Sequence, residues 1–447
     1  MRRMLFGIAT AVLALAAAIL TFVGPAHAAA GLHISGRAIV EANGQTFVMR
    51  GVNHPHVWYT SQTSSFANVK ALGANTIRVV LGSGKRWGPS TDVADVILRC
   101  KQNKLICVLE VHDTTGYPDE TAGAATLDEA ADYWISQKSA LVGQENYVVV
   151  NIGNEPIGNQ NPTQWIDATA NAVKKLRANG LEHLLMVDAP NWGQDWTNTM
   201  RDNAQRVWDA DNLHNTVFSV HMYSVYNTAA SIASYFDAFA SKGLPLVVGE
   251  FGWRFNATEV DHETILAETR SRGIGYLAWS WSGNSDPILD MATTFDPNQL
   301  TTWGQIIFNG PNGIKATAKE AAIFAGAPTS PSGSTPPTTP TTTPPVGSAG
   351  CAATYTVVGQ WQGGFQAEVR ITARDTAIRG WTVTWTFGNG QTVSNAWNAT
   401  VTSTGSGVTA RNMSYNGNLG AQASTTFGFL GTWNGANGAP TLACTAN

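Results

Sequence analysis

Residues Tyr147 to Pro156 read YVVVNIGNEP, and Pro245 to Trp253 read PLVVGEFGW. Each is a near-continuous apolar run that closes on a glutamate, Glu155 or Glu250, among glycine and turn residues. A run without polar alternation fits a parallel strand buried on both faces. Six more segments share that character: TFVMRGVNH (Thr46 to His54), NTIRVV (Asn75 to Val80), LICVLEVHD (Leu105 to Asp113), HLLMVDAP (His183 to Pro190), TVFSVHMY (Thr216 to Tyr223) and GYLAWSW (Gly275 to Trp281). Amphipathic helical stretches lie between them, such as Thr163 to Ala178 and Ser231 to Ser241. Eight strand–helix units in about 300 residues predict an α/β fold, a (β/α)₈ TIM barrel.

The strand ends carry the next step. Asn53, His54, Arg78, His112, Asn154, Glu155, Asp188, His221, Tyr223, Glu250 and Trp279 stand at or just past them. In this fold those ends converge on one face, where active sites lie. Glu155 and Glu250 close the fourth and seventh strands, on opposing sides of an eight-strand ring. Two carboxylates flanking a substrate are the minimum apparatus for glycosidic cleavage, one protonating the leaving oxygen and the other attacking the anomeric carbon.

Composition narrows the partners. The 447 residues are 43% hydrophobic but only 13% charged, with a net charge of -4 and 16 tryptophans. Without a basic excess or a Lys/Arg cluster, a nucleic-acid partner is excluded. Indole faces suit flat, uncharged, ring-shaped ligands instead. Residues 1–28 read as a secretory signal: Arg2 and Arg3, an apolar run from Leu5 to Val23, then Ala26-His27-Ala28 as an A-x-A cleavage pattern. The run approaches bilayer length, but the cleavage pattern and the lack of a second apolar span favour a secreted chain without a membrane anchor.

Residues 29–327 form the predicted barrel unit, and 328–350 a linker with 7 Pro and 7 Thr and no charged or aromatic residue. Such a segment extends by ~3.1 Å per residue and buries no core. Residues 351–447 alternate differently, as in WTVTWTF (Trp381 to Phe387), which predicts an antiparallel β-sandwich. Cys351 and Cys444 bracket this unit, where a bridge would contribute ~4–5 kcal/mol in the chain-entropy model. Cys100 and Cys107 fit either a second bridge or two free core thiols.

The motifs N-E-P (Asn154 to Pro156), G-E-F-G (Gly249 to Gly252) and H-x-Y (His221 to Tyr223) closely resemble those of glycoside hydrolase family 5. That resemblance spans Gly31 to about Ala327. It implies Glu155 as general acid/base, Glu250 as nucleophile, and Asn154 on the sugar 2-OH. It further implies that Tyr223 and Arg78 hold the nucleophile, that His112 and His221 line the cleft, and that Trp279 is the sugar platform. GVNHPHVWY, LEVHDTTGY, VDAPNWGQDW and LAWSWSGN resemble the bacterial endo-β-1,4-mannanases of that family. One departure is Trp253-Arg254-Phe255, where related mannanases tend to carry histidine. His54 and Trp58 are expected on distal sugars.

The last unit resembles the family 2 carbohydrate-binding modules through QWQGGF, NAWN and SYNGNL. The resemblance implies an exposed sugar-stacking row of Trp361, Trp397 and Tyr415, with Tyr415 standing where many relatives have Trp. Trp381 and Trp385 are expected inside the sandwich or on its face.

No cofactor is expected for this chemistry. His54-x-His56 lacks a cysteine or acid at ligand spacing, and Glu259 to Glu263 reads as a helix start more readily than as a calcium site. The expectation is a monomeric secreted hydrolase of β-mannan, held on cellulose or another insoluble polysaccharide by its last unit. The alternatives are an endo-β-1,4-glucanase using the same glutamates, and a non-catalytic polysaccharide-binding protein.

Overall fold

The computed structural model describes residues 31–120, 123–255, 258–325, 350–361, 363–413 and 416–446, with the side chains of 358, 359, 361, 395 and 397 set aside. The leader and most of the linker lie outside these residues. The chain divides into two units, Met1–Ala327 and Pro328–Asn447.

In the first unit all eight expected strands form and close a parallel barrel in sequential order. They are β1 (Arg50–His54), β2 (Thr76–Leu81), β3 (Ile106–Val111), β4 (Val148–Asn151), β5 (Leu184–Asp188), β6 (Thr216–Met222), β7 (Leu246–Phe251) and β8 (Gly275–Ala278). A helix of at least seven residues follows each: α1 (Ser65–Ala71), α2 (Val93–Gln102), α3 (Leu127–Ser136), α4 (Trp165–Ala178), α5 (Thr199–Ala210), α6 (Ala229–Lys242), α7 (His262–Arg272) and α8 (Thr302–Asn309), with single turns at Lys138–Leu141 and Ile314–Thr317 besides. The strand bounds are tighter than the apolar runs. Thr46–Phe47 leaves the first run to pair in a small antiparallel sheet with Ala38–Val40. The fourth run stops pairing at Asn151, four residues before Glu155.

Inside the barrel, Ile106, Val108, Val149, Leu184, Met186, Val217, Val247 and Leu277 fill the lower layers. A larger cluster fills the space between strands and helices, with Phe66, Trp134, Trp165, Phe218, Phe236 and Trp281 fully buried. Helix ends follow the local chemistry. Thr126 and Glu129 form a reciprocal cap on α3, and Gly243 and Gly273 close α6 and α7 at positive φ. Asp261 caps α7 through Thr264 N, and Glu259 pairs with Arg254, so the acidic stretch is a helix start. Cys100 and Cys107 are bonded, tying α2 to β3.

The second unit is a sandwich of two four-stranded antiparallel sheets. Its strands are β9 (Cys351–Trp361), β10 (Gly364–Ala373), β11 (Trp381–Thr386), β12 (Thr392–Trp397), β13 (Ala399–Thr404), β14 (Gly407–Asn412), β15 (Ser424–Thr432) and β16 (Ala443–Ala446). One sheet runs β9-β10-β15-β12 and the other β13-β14-β11-β16. Along β11 buried and outward residues alternate, placing Trp381 and Trp385 inside, stacked on Phe427 and Phe429. Of the two positions expected for these tryptophans, the interior holds. Cys351 and Cys444 are bonded. The side chains of Trp361 and Trp397, and Tyr415 as a whole, lie outside the described residues.

Candidate active site

The site begins with two backbone irregularities at the C-terminal mouth. Past β4 the chain turns at Gly153, where a Cβ would come within 2.6 Å of Thr114 Oγ1. Glu155 follows at φ 40°, a left-handed value costly for a side-chain-bearing residue. It is held there by hydrogen bonds at both ends: its N–H donates to Asp188 Oδ2 (3.3 Å), and its carbonyl accepts from Gly116 N (2.9 Å). On β7 a register shift between Val248 and Glu250 sets Glu250 opposite His221 of β6. One oxygen of each glutamate and a His221 ring nitrogen consequently lie within 4.8 Å of one another.

Beneath them is a polar layer withdrawn from water. Arg78 of β2 spends its guanidinium donors on Asn151 Oδ1 (2.8 Å), Asn53 Oδ1 (2.8 Å), Glu250 Oε1 (2.7 Å), Asn154 Oδ1 (2.7 Å) and Asp188 Oδ2 (3.2 Å). That matches the five N–H groups it has. Tyr223 donates its hydroxyl to the other oxygen of Glu250 (2.9 Å). His221 Nδ1 sits 2.8 Å from Glu155 Oε1, and Nε2 sits 3.2 Å from Asp188 Oδ2.

Protonation follows from this placement. Burial raises the Glu155 carboxyl, and the nearby Glu250 charge adds to the rise against the opposing pull of His221. Burial alone would lower His221, yet Glu250 and Asp188 bring it up to about 10. Burial would likewise raise Asp188, but His221 and Arg78 hold it at about 2. Burial keeps Tyr223 well above its ordinary value, so it remains a donor. The mouth therefore holds one carboxyl, Glu155, that burial shifts toward its protonated form, beside a second that is fixed by a guanidinium and a phenol.

Above this layer lies a cleft of about 410 Å³, lined among others by His112, Asn154, Glu155, Tyr223, Glu250 and Trp279. The Trp279 indole donates to Asn284 Oδ1 (2.7 Å), which Asp290 holds in turn. Its ring lies nearly parallel to His112 at 5.8 Å. Trp58 is 40% exposed and stands edge-on to His112 and Trp87, on the rim beside the cleft.

Two expectations are corrected and one is met. His54 is fully buried, packed edge-on to Phe66 of α1 and to Phe295, and cannot reach a sugar. Successive strand residues point to opposite faces, so with Asn53 directed into the barrel His54 must point out of it. His221 is fully buried beneath the glutamates and does not line the cleft. Arg78 is fully buried as well and reaches Glu250 Oε1 at 2.7 Å, the hold on the nucleophile that was expected of it, and it makes no contact with the cleft.

Other residues were not anticipated as site residues. Trp192, Gln194 and Trp196 line the cleft from the loop after β5, joined by Asn159, Asn191, Phe255 and Leu289. Trp196 is 51% exposed, yet its indole is tethered to Asn159 Oδ1 (3.1 Å). Loop residues follow no period, so only the aromatic and amide content of VDAPNWGQDW could have marked them. Buried Asp113 gathers Ser83, Lys85, Arg86 and Trp87 by their backbone N–H groups, fixing the loop after β2.

Among the described residues, Glu155, His221 and Glu250 alone bring three ligand atoms close enough for a metal. Their atoms are already engaged with one another, Arg78 and Tyr223. His56 Nε2 meets Asp92 Oδ2 at 2.8 Å, an acidic partner 36 residues away in sequence.

Known proteins resemble both units. Residues 40–285 match the family described as Cellulase (glycosyl hydrolase family 5), and residues 351–447 match Cellulose binding domain. A mannan endo-1,4-beta-mannosidase of Streptomyces lividans is 54% identical over 314 residues, 69% of this chain and 82% of that protein. One of Cellvibrio japonicus is 49% identical over 305 residues, 67% of this chain and 70% of its own length. The crystal structure of a beta-mannanase from Streptomyces thermolilacinus with mannohexaose is 57% identical at a TM-score of 0.66, covering 67% of this chain and 99% of that one.

Proposed function

The chain belongs to glycosyl hydrolase family 5, and from that premise we propose that it is a secreted endo-β-1,4-mannanase that cleaves mannan, glucomannan and galactomannan with retention. The observation that carries the mechanism is the approach of Glu155 and Glu250 to within 4.8 Å. Retaining enzymes hold their carboxyl groups ~5–5.5 Å apart, whereas inverting ones leave ~6.5–9.5 Å for a water. The choice of mannan rests on the relatives at 54% and 49% identity.

Glu155, protonated, gives its proton to the glycosidic oxygen as that bond breaks. Glu250 attacks the anomeric carbon, steered by Arg78 and Tyr223, and forms a glycosyl ester. Ester formation removes the Glu250 charge, one of the influences that raised Glu155. Glu155 then loses its proton more readily and can take one from the incoming water. Attack of that water at the same carbon frees Glu250 and completes two inversions. Asn154 faces the sugar 2-OH and Trp279 lies under the ring, with Trp58 placed for a more distant sugar.

Residues 29–327 are the catalytic part and 328–350 a spacer. Residues 351–447 hold the enzyme on cellulose, raising its concentration near mannan without any new contact in the cleft. The sugar-stacking role in that module is assigned to Trp361, Trp397 and Tyr415 on the resemblance alone. The chain works as a monomer and, after leader removal, outside the cell. Among the described residues no helix is long and apolar enough to cross a membrane.

The test is reducing-sugar release by the full chain from galactomannan and from carboxymethyl-cellulose. Faster release from galactomannan is expected. Faster release from the cellulose derivative would make the chain an endoglucanase with the same machinery, and release from neither would leave only a binding protein.

A further inference from the structure

Glu110 of β3 has no part in the mechanism above, yet it is fully buried at the level of the catalytic layer. One of its oxygens, Oε1, lies 2.9 Å from His112 Nδ1. The other, Oε2, has no hydrogen-bond partner among the described residues. Arg78 passes within 3.7 Å of Oε1, but its donors are spent on Asn53, Asn151, Asn154, Asp188 and Glu250. A carboxylate taken out of water needs a charged, hydrogen-bonded partner. Here that partner is His112.

The charge count agrees. With Glu155 protonated, the buried carboxylates are Glu110, Asp188 and Glu250, while Arg78 and His221 supply only two positive charges. A third is needed to balance the layer. We infer that Glu110 is a positioning residue that holds His112 as an imidazolium, tying down Nδ1–H so that Nε2–H is offered to the cleft as a charged donor to a hydroxyl of the sugar beside Trp279.

The ring is suited to this. It lines the cleft and is locked among the Trp58, Trp87 and Trp279 rings. Around it stand Glu110 from β3, Glu250 from β7, Glu155 past β4 and Arg78 from β2, with Arg86 stacked on Trp87. Burial and Arg78 oppose the ring's charge; Glu110 and Glu250 favour it, and the net direction is upward. A charge-assisted N–H···O bond is about twice as strong as a neutral one, which gives the pair a role in holding a neutral sugar.

The inference rests on the mannanase reading, so its first test needs no substrate. The nine histidines of the full chain are followed by ¹⁵N-edited NMR from pH 5 to 9, with His112→Gln assigning the signal. The expected result is a ring that carries both protons at pH 7 and loses one at least one pH unit lower in Glu110→Gln, about a tenfold change in proton affinity. A wild-type ring already neutral at pH 6 overturns the inference, even if Glu110→Gln does not fold. So does a midpoint unmoved by Glu110→Gln. The second readout is KM for mannopentaose, expected to rise about tenfold at pH 7 in Glu110→Gln and to recover at pH 5 as the ring regains its proton. A KM raised equally at both pH values overturns the donor role. Failure of the wild type to cleave mannopentaose overturns the activity reading, while the titration still decides the pair.

Discussion

Around the mouth of the barrel, Arg78, Glu110, Asp188, His221 and Glu250 are all withdrawn from water. The sandwich withdraws Phe365, Trp381, Trp385, Phe427 and Phe429 and, among its described residues, no charged side chain. Both interiors are dense, but they answer different needs. Aromatic packing adds many small attractions and tolerates any pH at which proteins fold. A buried ionic layer carries a desolvation cost that an apolar layer of equal volume avoids. The barrel bears that cost where it prepares a reaction, with one carboxyl protonated and its neighbour held by Arg78 and Tyr223. The barrel also buries charge for structure, as in Asp113 and the Arg177–Asp211 pair, but the difference teaches that the dense cluster of buried charge at the mouth belongs to chemistry, and the buried aromatics of the sandwich to cohesion.

The largest expected effect comes from removing the reacting carboxylates themselves. Glu250→Ala should lower kcat on galactomannan by at least about 10⁴-fold, the scale of losing a covalent nucleophile. Azide should restore turnover of an activated aryl mannoside, giving the α-azide with Glu250→Ala and the β-azide with Glu155→Ala. Adsorption of both variants to cellulose should match wild type. If Glu250→Ala keeps its activity, the barrel's charges are structural and the contrast with the sandwich loses its meaning.

Stability separates the two interiors next. Arg78→Met takes the guanidinium from two buried carboxylates, Glu250 and Asp188, and should cost the barrel about 3–5 kcal/mol. Phe429→Ala opens a hole between Trp385 and Phe365 and should cost the sandwich a similar ~3–5 kcal/mol. Calorimetry of the full chain should show one transition shifted in each case. The same energy should move the smaller sandwich further, roughly 20 °C against roughly 10 °C for the barrel. Arg78→Met should also abolish activity, while Phe429→Ala at 25 °C should hydrolyse soluble mannan at the wild-type rate.

This contrast was only half legible in the sequence. Eight apolar runs with polar ends were enough for the barrel, and NEP and GEFG for the glutamates, because strand burial and turn chemistry are written locally. Depth was not. His54 and His221 both stand at strand ends, but which face each meets depends on strand phase and on the bulge before Glu250. Glu110 did leave a signal, a lone acid inside LICVLEVHD, an otherwise apolar run up to His112. Its partner His112 stands two residues further on, so period-two spacing already puts the pair on one face; the charges of Arg78 and Glu250 around it appear only once β3 is placed against β2 and β7. The cleft residues of the β5 loop left less, since Asn191, Trp192, Asp195 and Asn198 all take positive φ that no periodicity announces.

A smaller effect should appear as pH changes. His221 is raised from 6.5 to about 10, so its contribution is complete below about 6.5 and is lost as pH rises toward 10. Asp188 is lowered from 3.8 to about 2, so its contribution is complete above about 3.8 and is lost as pH falls toward 2. Raised Glu155 adds a loss on the alkaline side, with the same sign as His221. The barrel's Tm should therefore be highest at about pH 4, between the ordinary values of Asp188 and Glu155, and fall as pH rises, first through Glu155 and above about 6.5 through His221 as well. Without buried charge, the sandwich transition should stay nearly level from pH 5 to 9. A sandwich that melts in step with the barrel would show that buried ions are not what makes the barrel respond.

The smallest effect is the sharpest control on the comparison. Lys175 of α4 reaches Asp128 Oδ1 and Asp132 Oδ1 of α3, each at 2.8 Å. By distance alone it rivals Arg78, which meets Glu250 at 2.7 Å and Asp188 at 3.2 Å. What differs is the surroundings: the side chains of Asp128 and Asp132 are 73% and 63% exposed, whereas those around Arg78 are almost wholly covered. Water and salt screen the first set, and holding a long lysine in one geometry costs entropy, so the pair is worth ~0–1 kcal/mol. Lys175→Met should move the barrel's Tm by less than about 3 °C. Half-molar salt should shrink even that difference while leaving the Arg78→Met loss in place. Equal losses from the two substitutions would mean that ion pairing, rather than burial, sets the energy, and the division between the two interiors would have to be redrawn around contact distance.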